Sequence, residues 1–217
     1  TEQLVDYKFS NTIIQIRKNY VYDTEAQEAD TMYVKTRDLL CRLNKKKEYK
    51  YIDSIETSHD VIAYLMIWMN YTSAQEFVKN KCGLFRSSKM NESFKPPEGI
   101  DINIQRFLKT WNSYGGKYCK YGELERHDML EFDAYVHITS PIRRLVDLLT
   151  MMNLQEKLGL VEWSGEAKQF YDKWTCDESI EYINTTMRSI RRVQNDCELF
   201  NICSTNHELL NTIYDVF

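Results

Sequence analysis

Residues 61–69 read VIAYLMIWM, nine apolar residues in an unbroken run. A run of this kind is a membrane span only if it reaches about 18 residues, so nine mark a helix buried inside a protein core. Thr57 and Asp60 stand in capping-box spacing just before it and give the helix a start. Asn70 follows the run, where a lone polar side chain makes a helix-packing hydrogen bond or serves a binding site. Only seven glycines and three prolines occur in 217 residues. That is too little punctuation for an all-β fold built on tight turns, so the expectation is an α+β chain, predominantly α-helical, with a few strands or extended segments.

The length and a 43% hydrophobic content are enough for a real core in a single domain, residues 1–217. The net charge of −4 argues against a generally basic nucleic-acid coat protein and leaves room for a local basic channel. Six cysteines without a CxxC pair read as scattered reduced thiols, and Cys197, Cys203 and His207 are a poor zinc set. With no secretory leader or long apolar span, the expected setting is intracellular, cytoplasmic, without a membrane partner.

Along the chain, residues 5–23 mix alternating and β-branched positions and are expected to hold a short strand or an extended entry. Thr24 and Gln27 then suggest the start of a helix that runs through Tyr33, Leu39, Leu40 and Leu43 to the lysines at 45–47. A short helical piece, INIQRFLKTWNSY, is expected among irregular segments between Cys82 and Tyr121. After Ser140 and Pro141, Ile142, Leu145, Val146, Leu149 and Met152 recur at helical spacing and predict one buried face. A last helix is expected from a Thr175/Glu178 box, with Ile180, Ile183, Met187 and Ile190 inward.

The stretch TSPIRRLVD, residues 139–147, carries the chemistry. Serine followed by proline predicts a helix start, which places Arg143 and Arg144 at the positive end of the macrodipole, where cations are disfavoured. Helical spacing puts Arg143 beside Asp147, four residues on. The pair is either an ordinary surface ion pair, with Arg144 solvated, or a pre-organised guanidinium beside a helix terminus, which together make a phosphate site. In phosphodiester cleavage such donors would neutralise the charge of the transition state.

YVHITSPIRRLVDLL, residues 135–149, closely resembles the signature of the RNB family of 3′→5′ exoribonucleases, which includes ribonuclease II: Tyr-Thr-His-Phe-Thr-Ser-Pro-Ile-Arg-Arg-Tyr-x-Asp-Leu. HDML, with His127 and Leu130, resembles the family's His-Phe-Gly-Leu element, and YLMIWMN resembles its Glu-Leu-Met-Leu-Leu-Ala-Asn helix. GLFR, ending at Arg86, and FSNTIIQIRKNYVYDTEAQ also have family counterparts, so the resemblance covers most of the chain. Departures occur at Tyr64, where the family usually has glutamate, and at Ser88, Met151, Met152 and Gln194.

The resemblance implies the C-terminal portion of an RNB-type catalytic domain. It implies Arg143, Arg144 and Asp147 as catalytic residues, with Arg143 on the scissile phosphate. Tyr135, His137, Thr139, Ser140, Asn70, Arg86 and Arg188 would contact RNA, with Arg191 and Arg192 as further channel candidates. Tyr135 and His137 read equally as an aromatic pair packing in the next layer, and His127 reads better as a structural histidine than as a general base.

The family's magnesium site, roughly Asp-x5-Asp-x-Asp-Asp, has no counterpart in this chain. Residues 23–30, DTEAQEAD, do not match its spacing. The chain is therefore expected to hold no metal ligands and to be inactive alone, whether it is part of a magnesium-dependent exoribonuclease or a degenerate RNA-binding or scaffolding relative. A start at Thr1 favours the former. Its expected partners are single-stranded RNA and, for a fragment, the rest of the RNB domain with flanking OB-type domains. A helical assembly protein is the remaining alternative.

Overall fold

The computed structural model describes residues 8–89 and 114–205. The fold is α+β and mostly helical, with one two-stranded sheet. Two compact units form: the chain up to Gly83 with Val136–Ser164, and Leu84–Tyr135 with the chain from Gly165 onward.

In the first unit, residues 8–21 form no helix or strand, residues 22–23 turn, and the chain enters α1 (Glu25–Glu28), α2 (Thr31–Asn44) and α3 (Ser58–Lys79). The expected helix from Thr24 is thus broken in two. Thr24 makes no side-chain cap, and its hydroxyl donates to the Val21 carbonyl instead. Asp30 supplies the effective cap of α2, accepting from the backbone N–H groups of Met32 and Tyr33.

The Thr57/Asp60 capping box of α3 is fully formed. Val61, Tyr64, Ile67, Asn70, Ala74 and Phe77 make its buried face, with Leu40 of α2 packed against Val61 and Tyr64. Ile62 and Met69 are exposed, so this helix is buried on one face, not all round. Each fully buried side chain of this size contributes about 1.5–3 kcal/mol. The unit is completed by α4 (Leu145–Lys157), whose Val146, Leu149 and Leu154 turn inward.

The second unit holds the antiparallel pair β1 (Leu84–Lys89) and β2 (Tyr114–Lys120), in register Leu84 with Lys120 and Arg86 with Tyr118. Helices α5 (Gly165–Thr175) and α6 (Asp177–Thr205) follow. Asn184 of α6 is buried and pairs with the Tyr118 peptide in both directions: the Tyr118 N–H donates to Oδ1 at 2.7 Å and Nδ2 donates to the Tyr118 carbonyl at 2.9 Å. One amide side chain thereby satisfies a β2 peptide that would otherwise face an unpaired edge.

The last helix starts at Asp177, and the Thr175 hydroxyl bonds back to the Tyr171 carbonyl inside α5 instead of capping it. Ile180 is buried as expected, whereas Ile190 is 50% exposed. The expected helix INIQRFLKTWNSY lies, but for its last residue, outside the described residues.

Candidate phosphate-binding turn

The predicted site is built around a buried acid. Asp147, with no solvent exposure, sits in the first turn of α4. Its Oδ1 accepts from the Ser140 backbone N–H at 2.8 Å and from Arg144 Nη2 at 2.9 Å. The Ser140 carbonyl in turn accepts from the backbone N–H groups of Arg143 (3.2 Å) and Arg144 (3.0 Å). These four hydrogen bonds close residues 140–144 into a fixed turn.

Two expectations change here. Pro141 does not begin the helix: Pro141–Arg143 form a turn, Arg144 is extended at φ −130° and ψ 118°, and α4 begins at Leu145. Ile142 leaves the predicted apolar stripe for that reason and is fully exposed. The ion pair is also different, joining Asp147 to Arg144 at i,i+3 instead of to Arg143. Both arginines precede the helix, and the only charge in its first turn is the acid, which suits the macrodipole.

Arg143 is left as the outward arm. It is exposed, makes no ion pair among the described residues, and its guanidinium donates from Nη2 to the Ser140 hydroxyl at 3.3 Å. Thr139 and His137 precede the turn in the same unit, half-buried. Asn70, fully buried on α3, accepts from the Ile138 N–H at 3.1 Å and so fastens the segment leading into the turn. Three buried polar atoms in this short stretch have no hydrogen-bond partner among the described residues: Thr139 Oγ1, Arg144 Nε and Asp147 Oδ2.

Arg86, Tyr135 and Arg188 belong to the second unit. Arg86 is buried, donates from Nη1 to the Gly116 carbonyl at 2.7 Å and lies 4.9 Å over the Tyr118 ring. Tyr135 is buried against Phe132 and the edge of His127, and its carbonyl accepts from the Arg86 N–H. Burial, followed by the nearby Arg86 charge, lowers the His127 pKa to about 4, so this histidine is neutral at physiological pH. Arg188 bonds to Glu181 Oε1 at 2.8 Å along its own helix. The Arg86 and Tyr135 side chains are thus parts of a packed core, and Arg188 is a half-exposed surface pair.

The acids at 23–30 have partners within the fold. Asp23 accepts from the Ser58 hydroxyl and backbone N–H, and Glu28 pairs with Arg37. The Asp30 carboxyl is held down to about 2, first by the Tyr20 hydroxyl and then by the helix N–H groups it caps. Among the described residues, no group of three or more His, Cys, Asp or Glu side chains is placed to hold a metal ion. Likewise, no helix among them is long and apolar enough to cross a membrane.

Sequence spacing led to the arginines and the acid but not to which arginine the acid holds. The signal was present, since Arg144 and Asp147 are as close in helical spacing as Arg143 and Asp147. Asn184, which fits the RNB resemblance in the last helix, was not read from the sequence as the clamp on β2.

No protein-family model matches the chain, and none of the curated proteins does. Among solved structures, yeast Ssd1, described as a pseudonuclease, aligns with a TM-score of 0.55 and 13% identity over 80% of this chain and 28% of its own. RNase R of Mycoplasma genitalium aligns in its apo form with a TM-score of 0.46 and 15% identity, over 71% of this chain and 28% of its own. The same enzyme with double-stranded RNA aligns with a TM-score of 0.45 and 16% identity, over 78% of this chain and 39% of its own. The chain thus spans well under half the length of each. Its α+β fold is shared with part of the Ssd1 structure.

Proposed function

We propose that this chain is the phosphate-binding part of an RNB-like domain that takes single-stranded RNA, with Arg143 as the residue that meets the backbone phosphate. The observation that carries this reading is the division of labour in the turn. Asp147 and Arg144 neutralise and fix each other, and Arg143 is held on that base with its guanidinium exposed and in no ion pair among the described residues. A planar fork of donors on a pre-ordered backbone pays little ordering entropy when an anion arrives. Phosphate contact of this kind gives affinity without reading base sequence.

In a longer parent chain this part serves a 3′→5′ exoribonuclease whose magnesium ligands and OB-type RNA-binding domains lie outside these residues. Arg143 and the turn would hold the scissile phosphate, and no step of metal-assisted hydrolysis is assigned to residues present here. A second reading, a catalytically inactive RNA-binding or scaffolding relative, is favoured by Tyr64. At the position where the RNB resemblance leads one to expect glutamate, this tyrosine is buried and its hydroxyl donates to the Tyr49 carbonyl at 3.0 Å.

Fluorescence anisotropy with a labelled single-stranded RNA tests the shared part of both readings. Arg143→Ala is expected to weaken binding about tenfold or more, the size of a lost hydrogen bond to a charged group. Unchanged affinity would remove Arg143 from the site. Incubating end-labelled RNA and magnesium with the parent chain separates the readings: stepwise shortening supports the exoribonuclease, and intact RNA supports the inactive relative.

A further inference from the structure

The last turn of α2 and the loop after it carry five cations, Arg42, Lys45, Lys46, Lys47 and Lys50, against one acid, Glu48, in a chain whose net charge is −4. A helix C-terminus presents only about half a negative charge, so one lysine answers it and the others are in excess. Lys45 and Lys50 both line a cavity of about 470 Å³, where Ser54 adds a hydroxyl and Asp53 is the acid in the wall. Both lysines are exposed, and neither makes an ion pair among the described residues. Two ammonium groups against one carboxylate leave the cavity net positive.

The backbone under these lysines is already ordered. Asn44, buried, accepts on Oδ1 from the Tyr51 N–H at 3.0 Å and donates from Nδ2 to the Ile52 carbonyl at 2.8 Å. The Tyr64 hydroxyl holds the Tyr49 carbonyl, and the Cys41 thiol donates to the Ile55 carbonyl at 3.7 Å. An anion that binds here therefore pays for ordering lysine side chains but not for ordering the loop.

We infer that this cavity is a second backbone-phosphate subsite for single-stranded RNA, met by the Lys45 and Lys50 ammonium groups; the inference rests on the RNA reading of the turn at 140–144. The choice of RNA follows from what the loop is fastened to. Tyr51 packs on Tyr64 and Tyr71 of α3, with ring centroids 5.1 and 6.2 Å away, and Asn70 of the same helix holds Ile138 just ahead of the turn. The lysine loop and the arginine turn are thus anchored on the same two turns of α3, residues 64–71, about 10 Å of helix at 1.5 Å per residue. Both lie in one compact unit. Two cationic sites on one support engage a polyanion as linked contacts, and lysine, a point charge, suits a phosphate without reading bases.

Fluorescence anisotropy of the 217-residue chain with a labelled oligouridine of about 12 nucleotides, read as log K against log salt, tests the inference. Lys45→Gln/Lys50→Gln, at exposed positions where folding is undisturbed, is expected to make the slope shallower by about 1.4, the share of two phosphate contacts on a single strand. Lys35→Gln/Lys168→Gln removes the same charge from two exposed lysines outside the cavity and is expected to leave the slope unchanged. An unchanged slope in the cavity variant overturns the inference, as does an equal change in the control pair, which would reduce the contact to general attraction. Arg143→Ala, measured beside them, separates the cavity from the turn. A change in Arg143→Ala with none in the cavity variant strikes the cavity alone, and no change in either strikes both. A change in the cavity variant alone keeps the cavity and strikes the turn.

Discussion

A carboxylate with no solvent exposure must have its charge answered locally, and among the described residues Asp147 has two partners on one oxygen and none on the other. Asp147→Ala removes both partners of the turn and leaves the Arg144 charge uncompensated. Breaking a buried pair from one side costs about 3–5 kcal/mol, reduced here to about 2–4 because the Arg144 side chain keeps 24% exposure. Arg143→Ala is expected to stay within about 0.5 kcal/mol of the parent, since an exposed side chain with one long contact stabilises little. Thermal or denaturant unfolding of the two variants checks the contrast. A different residue governs pH dependence. His127 has a folded-state pKa of about 4 against an ordinary value of 6.5, so below pH 6.5 the unfolded chain takes up a proton that the folded chain refuses. Stability is therefore full above pH 6.5 and falls as the pH drops toward 4, by up to about 3 kcal/mol from this group. His127→Gln should flatten that slope, measured as Tm against pH.

Elements show how far spacing alone could be trusted. The Thr57/Asp60 box became a real cap because both groups turn to each other: the Thr57 hydroxyl accepts from the Asp60 N–H and donates to the Asp60 carboxylate, which also accepts from the N–H groups of Glu56 and Thr57. The boxes at Thr24/Gln27 and Thr175/Glu178 have the same spacing, but neither threonine caps a helix. Competing local acceptors decided these cases, the Val21 carbonyl for one and the Tyr171 carbonyl for the other, and periodicity does not register such competition. Thr57→Ala is accordingly expected to cost about 1 kcal/mol and Thr24→Ala only a few tenths. Helix α4 was legible from Leu145 onward by its apolar stripe. Its start was not, because Ser140–Pro141 closes a turn as readily as it opens a helix. The sheet depends on one tight approach. A Cβ on Gly116 would lie 2.5 Å from the Ser87 carbonyl oxygen and 2.7 Å from the Arg86 guanidinium. Gly116→Ala should therefore destabilise the β1–β2 pair by about 1–3 kcal/mol, read in a denaturant titration.

For the whole molecule, a net charge of −4 makes general attraction to RNA a poor explanation of any binding, so affinity must come from a local site. The RNB-like motif was legible because its residues are adjacent in sequence. The division of the described chain into two units was not, because Gly83–Leu84 and Tyr135–Val136 carry no linker composition. Arg143, Arg144 and Asp147 belong to one unit, and Arg86, Tyr135 and Arg188 to the other. The phosphate-binding claim rests on the turn at 140–144. The salt dependence of single-stranded RNA affinity tests that claim most directly, as log K against log salt for the parent and for Arg143→Ala. The account predicts a negative slope for the parent and one shallower by about 0.7 for the variant, the share of one phosphate contact on a single strand. Equal slopes in the two proteins, or a parent slope near zero, would contradict it.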